Sequence, residues 1–313
     1  MNRGKFSELF KRYEGNPILT SDMWPYQVAS VFNPGAVRFN DETLLLVRVE
    51  DRRGYSHFTC ARSKDGEIDW KIDSKPRFEA EAEFKEKESG VEDSRIVWIE
   101  ELQSFVITYI SFDADFDGVP TLSLMETKDF KKFERLGRPV IAENKDGALF
   151  PRIIQGNYVL VNRPVIKGRR YIAVCFSSDL KSWYGHKIII GPREETWDGA
   201  GVGLGPPPIW TPSGWLIIYH GVKEKASKLV YRIGLALLDL EKIEMTHRSK
   251  GWVFEPEKDY EGWKNGIVFP CGVIVEKDTN KIKLYYGAND SNIALVTADL
   301  DEVVSYLMKC PVS

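Results

Sequence analysis

The sequence predicts an all-β chain folded as a five-bladed β-propeller with short terminal helices, and three observations carry that prediction. A hairpin of two short apolar strands recurs five times at a spacing of about sixty residues. Each hairpin is followed by a third apolar run that ends at an Asp turn. Helical spacing of apolar residues is confined to the two ends of the chain. The 313 residues are therefore expected to form a single propeller domain over 1–313, with helical segments at about 5–14 and 300–308.

The repeats follow in chain order. The first hairpin joins Asn33-Pro34-Gly35-Ala36-Val37 to Leu44-Leu45-Leu46-Val47-Arg48, and the second joins Glu92-Asp93-Ser94-Arg95-Ile96 to Phe105-Val106-Ile107-Thr108-Tyr109. The third is read from Phe150-Pro151-Arg152-Ile153-Ile154 to Tyr158-Val159-Leu160-Val161-Asn162-Arg163. The fourth runs from Pro206-Pro207-Pro208-Ile209-Trp210 to Trp215-Leu216-Ile217-Ile218-Tyr219-His220, and the fifth from Phe269-Pro270-Cys271-Gly272-Val273 to Ile282-Lys283-Leu284-Tyr285-Tyr286. The third runs end at Asp65, Asp129, Asp179, Asp239 and Asp299. Trp70, Phe133 and Trp183 come soon after three of these aspartates, which suits a fourth, outer strand opening on a bulky anchor. At the ends, Phe6, Leu9, Phe10 and Tyr13 fall at helical spacing, and Asp299 is placed to cap a helix through Leu307.

Composition narrows the function. With 43 basic against 46 acidic side chains, the formal charge of -3 lacks the electrostatic footprint of a nucleic-acid or acidic-membrane binder. Apolar runs are strand-sized, far short of the roughly 20 residues of a membrane helix, and the charged N-terminus carries no apolar signal region. A cytoplasmic protein with a small neutral or anionic substrate is expected. Four scattered cysteines, Cys60, Cys175, Cys271 and Cys310, match neither a disulfide framework nor a metal site and read as small buried hydrophobes. Glycines and prolines are spread through the turns, so no linker divides the chain. Blade edges and terminal segments leave a homo-oligomer open.

In a propeller, residues at one phase of successive repeats converge on the central channel. The turn leading into the first strand contributes Asn33, Asp93 and Arg152. The exit of the second contributes Arg48, Tyr109, Arg163, His220 and the Tyr286–Asp290 segment. Polar side chains abutting buried strands are costly unless they find partners, so these predict a polar, largely cationic pocket. Asp93 is the candidate general acid because it sits at an inner turn; an ion-paired turn aspartate is the plainer reading. His220 follows its strand where Arg163 follows its own, and two such donors suit one shared anion. Hydrolysis of a glycosidic bond takes two carboxylates, whereas phosphate needs only orientation and cationic donors. One inner acid with several cations points toward phosphorolysis. The Gly201-Val202-Gly203-Leu204-Gly205 run leads into prolines, not a helix, and reads as close backbone approach at the channel instead of a dinucleotide loop. Trp24, Trp197 and Trp263 are candidates for stacking on sugar.

Taken together, Asn33-Pro34-Gly35, Arg48-Val49-Glu50-Asp51, Gly90-Val91-Glu92-Asp93-Ser94-Arg95, Phe150-Pro151-Arg152, Gly205-Pro206-Pro207-Pro208-Ile209, Tyr219-His220-Gly221 and Tyr285-Tyr286-Gly287-Ala288-Asn289-Asp290 resemble the β-mannoside phosphorylases of glycoside hydrolase family 130. The resemblance implies a five-bladed propeller that inverts the anomeric centre. It would convert a β-mannosyl disaccharide or oligosaccharide and inorganic phosphate into α-mannose 1-phosphate, with no cofactor and no metal; β-1,4 is the linkage taken first and β-1,2 stays open. It implies Asp93 as proton donor, acting through a hydroxyl of the mannosyl unit. Arg152, Arg163, His220 and Tyr231 would hold phosphate, and Asn33, Arg48 and Asp290 would grip the mannosyl ring. One departure stands out. Many members carry a further phosphate-binding lysine just ahead of the glycine-proline run, and here Gly199-Ala200-Gly201-Val202 has no cation. A hydrolase on the same scaffold, with Glu92, Asp290 or Asp51 activating water, and a non-catalytic carbohydrate-binding propeller are the alternative readings. An arabinan or xylan hydrolase fits poorly, because its base aspartate would be expected where Asn33 stands.

Overall fold

The computed structural model describes residues 9–115, 117–140, 142–225, 228–263 and 266–312. Its strands are mostly antiparallel and apolar on both faces, and their antiparallel pairings fall into five successive groups, bridged at two places by a single parallel pair. Blade 1 is Ser30–Phe39, Glu42–Glu50, Ser56–Ser63 and Lys71–Ile72. Blade 2 is Glu86–Ile99, Ser104–Asp113, Val119–Thr127 and Glu134–Gly137. Blade 3 is Asn144–Leu149, Tyr158–Ile166, Ile172–Ser177 and Tyr184–Ile190. Blade 4 has a split inner edge, Gly201–Leu204 and Ile209–Thr211, both paired to Gly214–Lys225, and continues through Lys228–Leu238 and Met245–Arg248. Blade 5 is Val268–Val275, Lys281–Ala288 and Asn292–Asp299, and its outer strand, Lys11–Arg12, comes from the other end of the chain. The fold is a five-bladed β-propeller.

Period-2 alternation decides how the blades pack. Leu44 and Leu46 face blade 2, where they join Ile96, Ile107 and Met125. Their neighbours Leu45 and Val47 face blade 5 and join Ile274, Tyr285 and Leu295. Similar interfaces lie between blades 2 and 3, 3 and 4, and 4 and 5. Both faces of each blade are thus buried, and this is why the strands read as unbroken apolar runs.

The recurring aspartate has a local cause. The Oδ1 atoms of Asp65, Asp129, Asp179 and Asp239 each accept the backbone N–H groups two and three residues onward, closing the turn from third to fourth strand. In blade 5 the same position, Asp299, accepts from Glu302 N at 2.9 Å and caps the helix Leu300–Leu307. The chain therefore leaves blade 5 before its fourth strand. Lys11–Arg12 fills that exposed edge, pairing with Thr297 and Val296. This corrects the helix expected at 5–14: residues 1–8 lie outside the described residues, and Lys11–Arg12 is strand. An open sheet edge offers partners that a short isolated helix lacks. All four cysteines are buried and free. Among the described residues no helix is long and apolar enough to cross a membrane.

Candidate active site

The innermost strand of each blade is irregular at its middle, and the irregularity builds the site. Register shifts fall between Phe32 and Gly35, between Glu92 and Arg95, and between Lys145 and Ala148. Inside them Asn33, Asp93 and Asp146 adopt φ of 44°, 55° and 51°. Asn and Asp tolerate this left-handed region better than other side chains with a Cβ. Each bulge re-aims one short polar side chain at the channel.

There they meet a cavity of about 470 Å³ lined by Asn33, Arg48, Asp93, Arg163, Tyr231 and Asp290, six of the eight residues expected from sequence. His220 packs behind three of the lining residues, its ring 5.5 Å from that of Tyr231 and 4.9 Å from that of Phe269, with Nε2 3.6 Å from Asp146 Oδ2. Arg152 is not brought into this group. Its guanidinium stacks on Trp210 at 4.6 Å, past the far end of the inner strand of blade 3. The reason is register: Asp146, not Arg152, occupies the blade-3 position equivalent to Asp93. Lys145 lies 53 residues after its partner Glu92, whereas Asn33 and Asp93 are 60 apart, so a constant spacing overshoots. The signal was present in Asp93-Ser94-Arg95-Ile96 beside Asp146-Gly147-Ala148-Leu149, each an aspartate two or three positions ahead of an apolar run. Lys145, Asp146, Arg170, Glu50, Glu92 and Glu143, with Phe32, Ile267 and Phe269, complete the lining. Asp51 instead pairs with Arg53 and lines a separate cavity between blades 1 and 2. Of the three tryptophans considered for sugar stacking, Trp24 and Trp197 are 7% and 5% exposed and belong to the core, while Trp263 is 60% exposed.

The cavity has two electrostatic halves. On one side Asp93 Oδ1 accepts from Asn33 Nδ2 at 2.9 Å and from Arg48 Nη1 at 3.1 Å. Arg48 also reaches Glu92 at 2.6 Å and Ser56 Oγ at 3.1 Å, and its guanidinium lies over the Phe32 ring. Burial works to raise the Asp93 carboxyl, but the charges of Arg48, Arg95 and Lys145 and the Asn33 hydrogen bond outweigh it and hold it below its ordinary value. Asp290 is driven the other way, upward, by desolvation against the pocket wall and then by the Asp93 charge, with Arg48 opposing. Two neighbouring carboxyls with opposed shifts are a recurrent arrangement at acid–base sites.

The other half is cationic. Arg163 Nη1 donates to Asp146 Oδ2 at 2.9 Å, and Arg95, 1% exposed, lies 3.6 Å from Asp146 Oδ1 while donating to Gly205 O and Leu204 O across the channel. Burial opposes ionisation of Asp146, but Arg163, His220, Arg95 and Lys145 together hold its carboxyl low. Gly203 makes the approach possible: a Cβ there would stand 2.3 Å from Asp146 Oδ2 and 2.5 Å from the His220 ring. This is the close backbone approach expected of the glycine run. Arg163 Nε, Asn33 Oδ1 and both ring nitrogens of His220 are buried without a hydrogen-bond partner. Buried polar atoms are rarely left so, and here they belong to residues that line one cavity or pack against its lining. Among the described residues no group of three His, Cys, Asp or Glu side chains is placed to hold a metal ion.

His220 also sets a pH dependence. Burial first, then the charges of Arg163, Arg95 and Arg170, push its pKa down to about 4 against the pull of Asp146; burial does the same to His57. The folded chain refuses a proton that the unfolded chain accepts below about 6.5, so stability present above that pH is lost as the pH falls toward 4. The melting temperature is expected to drop between pH 7 and pH 4.5, and by less in His220→Gln. An equal drop in both proteins would mean that His220 is protonated when folded.

Comparison with known proteins agrees with this architecture. The sequence model of the glycoside hydrolase 130 family, described as beta-1,4-mannooligosaccharide phosphorylase, matches residues 4–309. The chain is 32% identical to the beta-1,4-mannooligosaccharide phosphorylase of Ruminococcus albus, over 95% of this chain and 90% of that one. It is 35% identical to the 1,2-beta-oligomannan phosphorylase of a Thermoanaerobacter species, over 94% and 98% of the two. The solved beta-1,2-mannobiose phosphorylase of Listeria innocua, in complex with beta-1,2-mannobiose, superposes with a TM-score of 0.85 at 31% identity, over 96% of this chain and 99% of that one. A family match over nearly the whole length, with the propeller and its polar channel in place, makes this chain an enzyme of glycoside hydrolase family 130, the mannoside phosphorylases.

Proposed function

We propose that the protein catalyses reversible, inverting phosphorolysis of a β-mannoside, with Asp93 as general acid and the Lys145–Arg163–His220 side of the cavity holding phosphate. The observation that carries this reading is the division of the cavity. The buried carboxylate on the cationic side, Asp146, is committed to Arg163 and Arg95. A base for water is therefore poorly provided there, while unpartnered buried donors suited to an anion are present.

In the forward direction a phosphate oxygen forms a bond to the anomeric carbon as the glycosidic C–O bond breaks, and the leaving oxygen takes a proton that originates at Asp93. Hydrogenphosphate brings one proton of its own, so the acid is restored and the products are mannose 1-phosphate and a free hydroxyl. Inversion follows from attack on the face opposite the leaving group. Asp93 is held ionised in the free protein by Arg48. An incoming phosphate dianion and the loss of water both favour the protonated form, preparing the acid when substrates are bound. Asn33, Arg48 and Asp290 present hydrogen-bond donors and acceptors to the mannosyl hydroxyls.

Phosphorus NMR with inorganic phosphate and either β-1,4- or β-1,2-mannobiose, beside phosphate-free controls, tests the reading. The expected result is α-mannose 1-phosphate formed only with phosphate, with the two disaccharides ranked by their rates. Mannose released at an equal rate without phosphate overturns it in favour of a hydrolase, with Asp290 the first base to examine because its pKa is raised and no ion pair occupies it.

A further inference from the structure

We infer that Arg170 is a phosphate ligand, taking the place of the lysine that the segment ahead of Gly205 lacks; the inference rests on the phosphorolytic reading above. Four observations support it. The first is position. The second strand of blade 3, Tyr158–Ile166, runs past the blade and turns back through Lys167 and Gly168, whose φ values of 50° and 76° suit a two-residue hairpin turn. The returning pair Arg169–Arg170 places Arg170 opposite Val165 on one side and, in parallel pairing, opposite Gly201 on the other. Arg170 thus crosses from blade 3 onto the inner strand of blade 4, four residues ahead of Gly205.

The second is space. A Cβ on Gly201 would come within 3.1 Å of Arg170 Cβ and within 3.5 Å of its Cγ and Cδ. The glycine that lacks a cation is the residue that lets the arginine stem lie against the strand.

The third is the state of the guanidinium. Arg170 lines the cavity that also contains Glu50, Glu92, Asp93, Glu143, Asp146 and Asp290. Every other cationic side chain lining it is committed: Arg48 to Asp93 and Glu92, Lys145 to Glu92, Arg163 to Asp146. Arg170 has no hydrogen bond or ion pair among the described residues. A guanidinium that shares a cavity with six carboxylates and pairs with none of them is directed at something else.

The fourth is electrostatic proximity. The Arg170 charge acts on His220, whose ring nitrogens are themselves unpartnered. Arg163 Nε, the His220 ring and the Arg170 fork together give one anion donors from two blades. A planar fork also grips a tetrahedral oxyanion at two points, where a lysine makes a point contact.

The test compares steady-state kinetics of wild type, Arg170→Ala, Arg170→Lys and, as control, Arg169→Ala, whose side chain pairs outward with Glu194 at 3.1 Å. Phosphate and mannoside are varied separately, and the reverse reaction is run on α-mannose 1-phosphate. Arg170→Ala is expected to raise the phosphate KM by about tenfold or more with the mannoside KM within about twofold. Arg170→Lys is expected to recover part of the loss, Arg169→Ala to match wild type, and the KM for α-mannose 1-phosphate to rise with that for phosphate. A phosphate-dependent wild type with an unchanged phosphate KM in a folded Arg170→Ala overturns the assignment of Arg170 and leaves the phosphorolytic reading standing. A wild type whose rate ignores phosphate overturns both. Circular dichroism melting of each variant separates loss of the ligand from loss of the fold.

Discussion

Asp93→Asn lowers the rate of phosphorolysis by about 10²–10⁴-fold, the range a positioned general acid supplies, while the mannoside KM and the melting temperature stay close to wild type. The reason lies in what asparagine keeps. Its amide oxygen still accepts from Asn33 and Arg48 in place of Asp93 Oδ1, and Arg48 retains Glu92 at 2.6 Å, so no charge is stranded. The left-handed backbone at this position, φ 55°, is one that asparagine adopts as readily as aspartate. What is lost is the proton. Steady-state rates with circular dichroism melting check this, and a variant of near wild-type rate would move the acid to another carboxyl, with Asp290 the nearest in chemistry.

The second large effect is on stability. Asp198 is fully buried and accepts from Arg193 at 2.7 Å, Arg248 at 2.8 Å and Tyr219 Oη at 3.0 Å, with Thr196 a further donor. Burial opposes its ionisation, but these hydrogen bonds and the Arg248 and Arg193 charges hold its carboxyl low. Asp198→Ala leaves two guanidiniums facing one another without their shared anion. Breaking a buried pair in this way costs about 3–5 kcal/mol, which for a chain of this size lowers the melting temperature by roughly 5–8 °C. Thermal and urea melts at pH 7 measure it; a shift of only one or two degrees would show that water enters and solvates the two arginines. Because Tyr219 directly precedes His220, the same network steadies the histidine behind the site.

The carboxyls of the site also explain why it needs so many cations. Glu50, Glu92, Asp93, Glu143, Asp146 and Asp290 line one cavity. Their mutual repulsion is relieved by Arg48, which stands between Glu92 and Asp93, by Lys145 on Glu92, and by Arg163 and Arg95 on Asp146. Sugar hydroxyls meet ionised acceptors on the Asp93 side, and an anion meets donors on the His220 side.

The blades were legible in the sequence because each is built from local events: a two-strand apolar run, an Asp whose carboxylate closes the next turn, an aromatic opening the outer strand. Asn33, Asp93, Arg48, Arg163, His220 and Asp290 could be nominated because they stand beside those runs at matching phase. Tertiary structure alone decided the rest. Phase within an inner strand depends on where a bulge inserts one residue, and a blade spacing of 53 residues where its neighbour has 60 puts Asp146 at the phase expected of Arg152, leaving the expected ligand beyond the far end of the inner strand. The outer strand of blade 5 is supplied from nearly three hundred residues away, as Arg12 pairing with Val296 shows, and local propensity near Phe10 holds no trace of that edge. Arg170 belongs to no repeat; only the meeting of blades 3 and 4 brings its hairpin arm against Gly201. Short-range hydrogen bonds and side-chain alternation are written in neighbouring residues and can be read there, whereas register, ring closure and the meeting of blades are set by how far-apart surfaces fit, which no local stretch of sequence records.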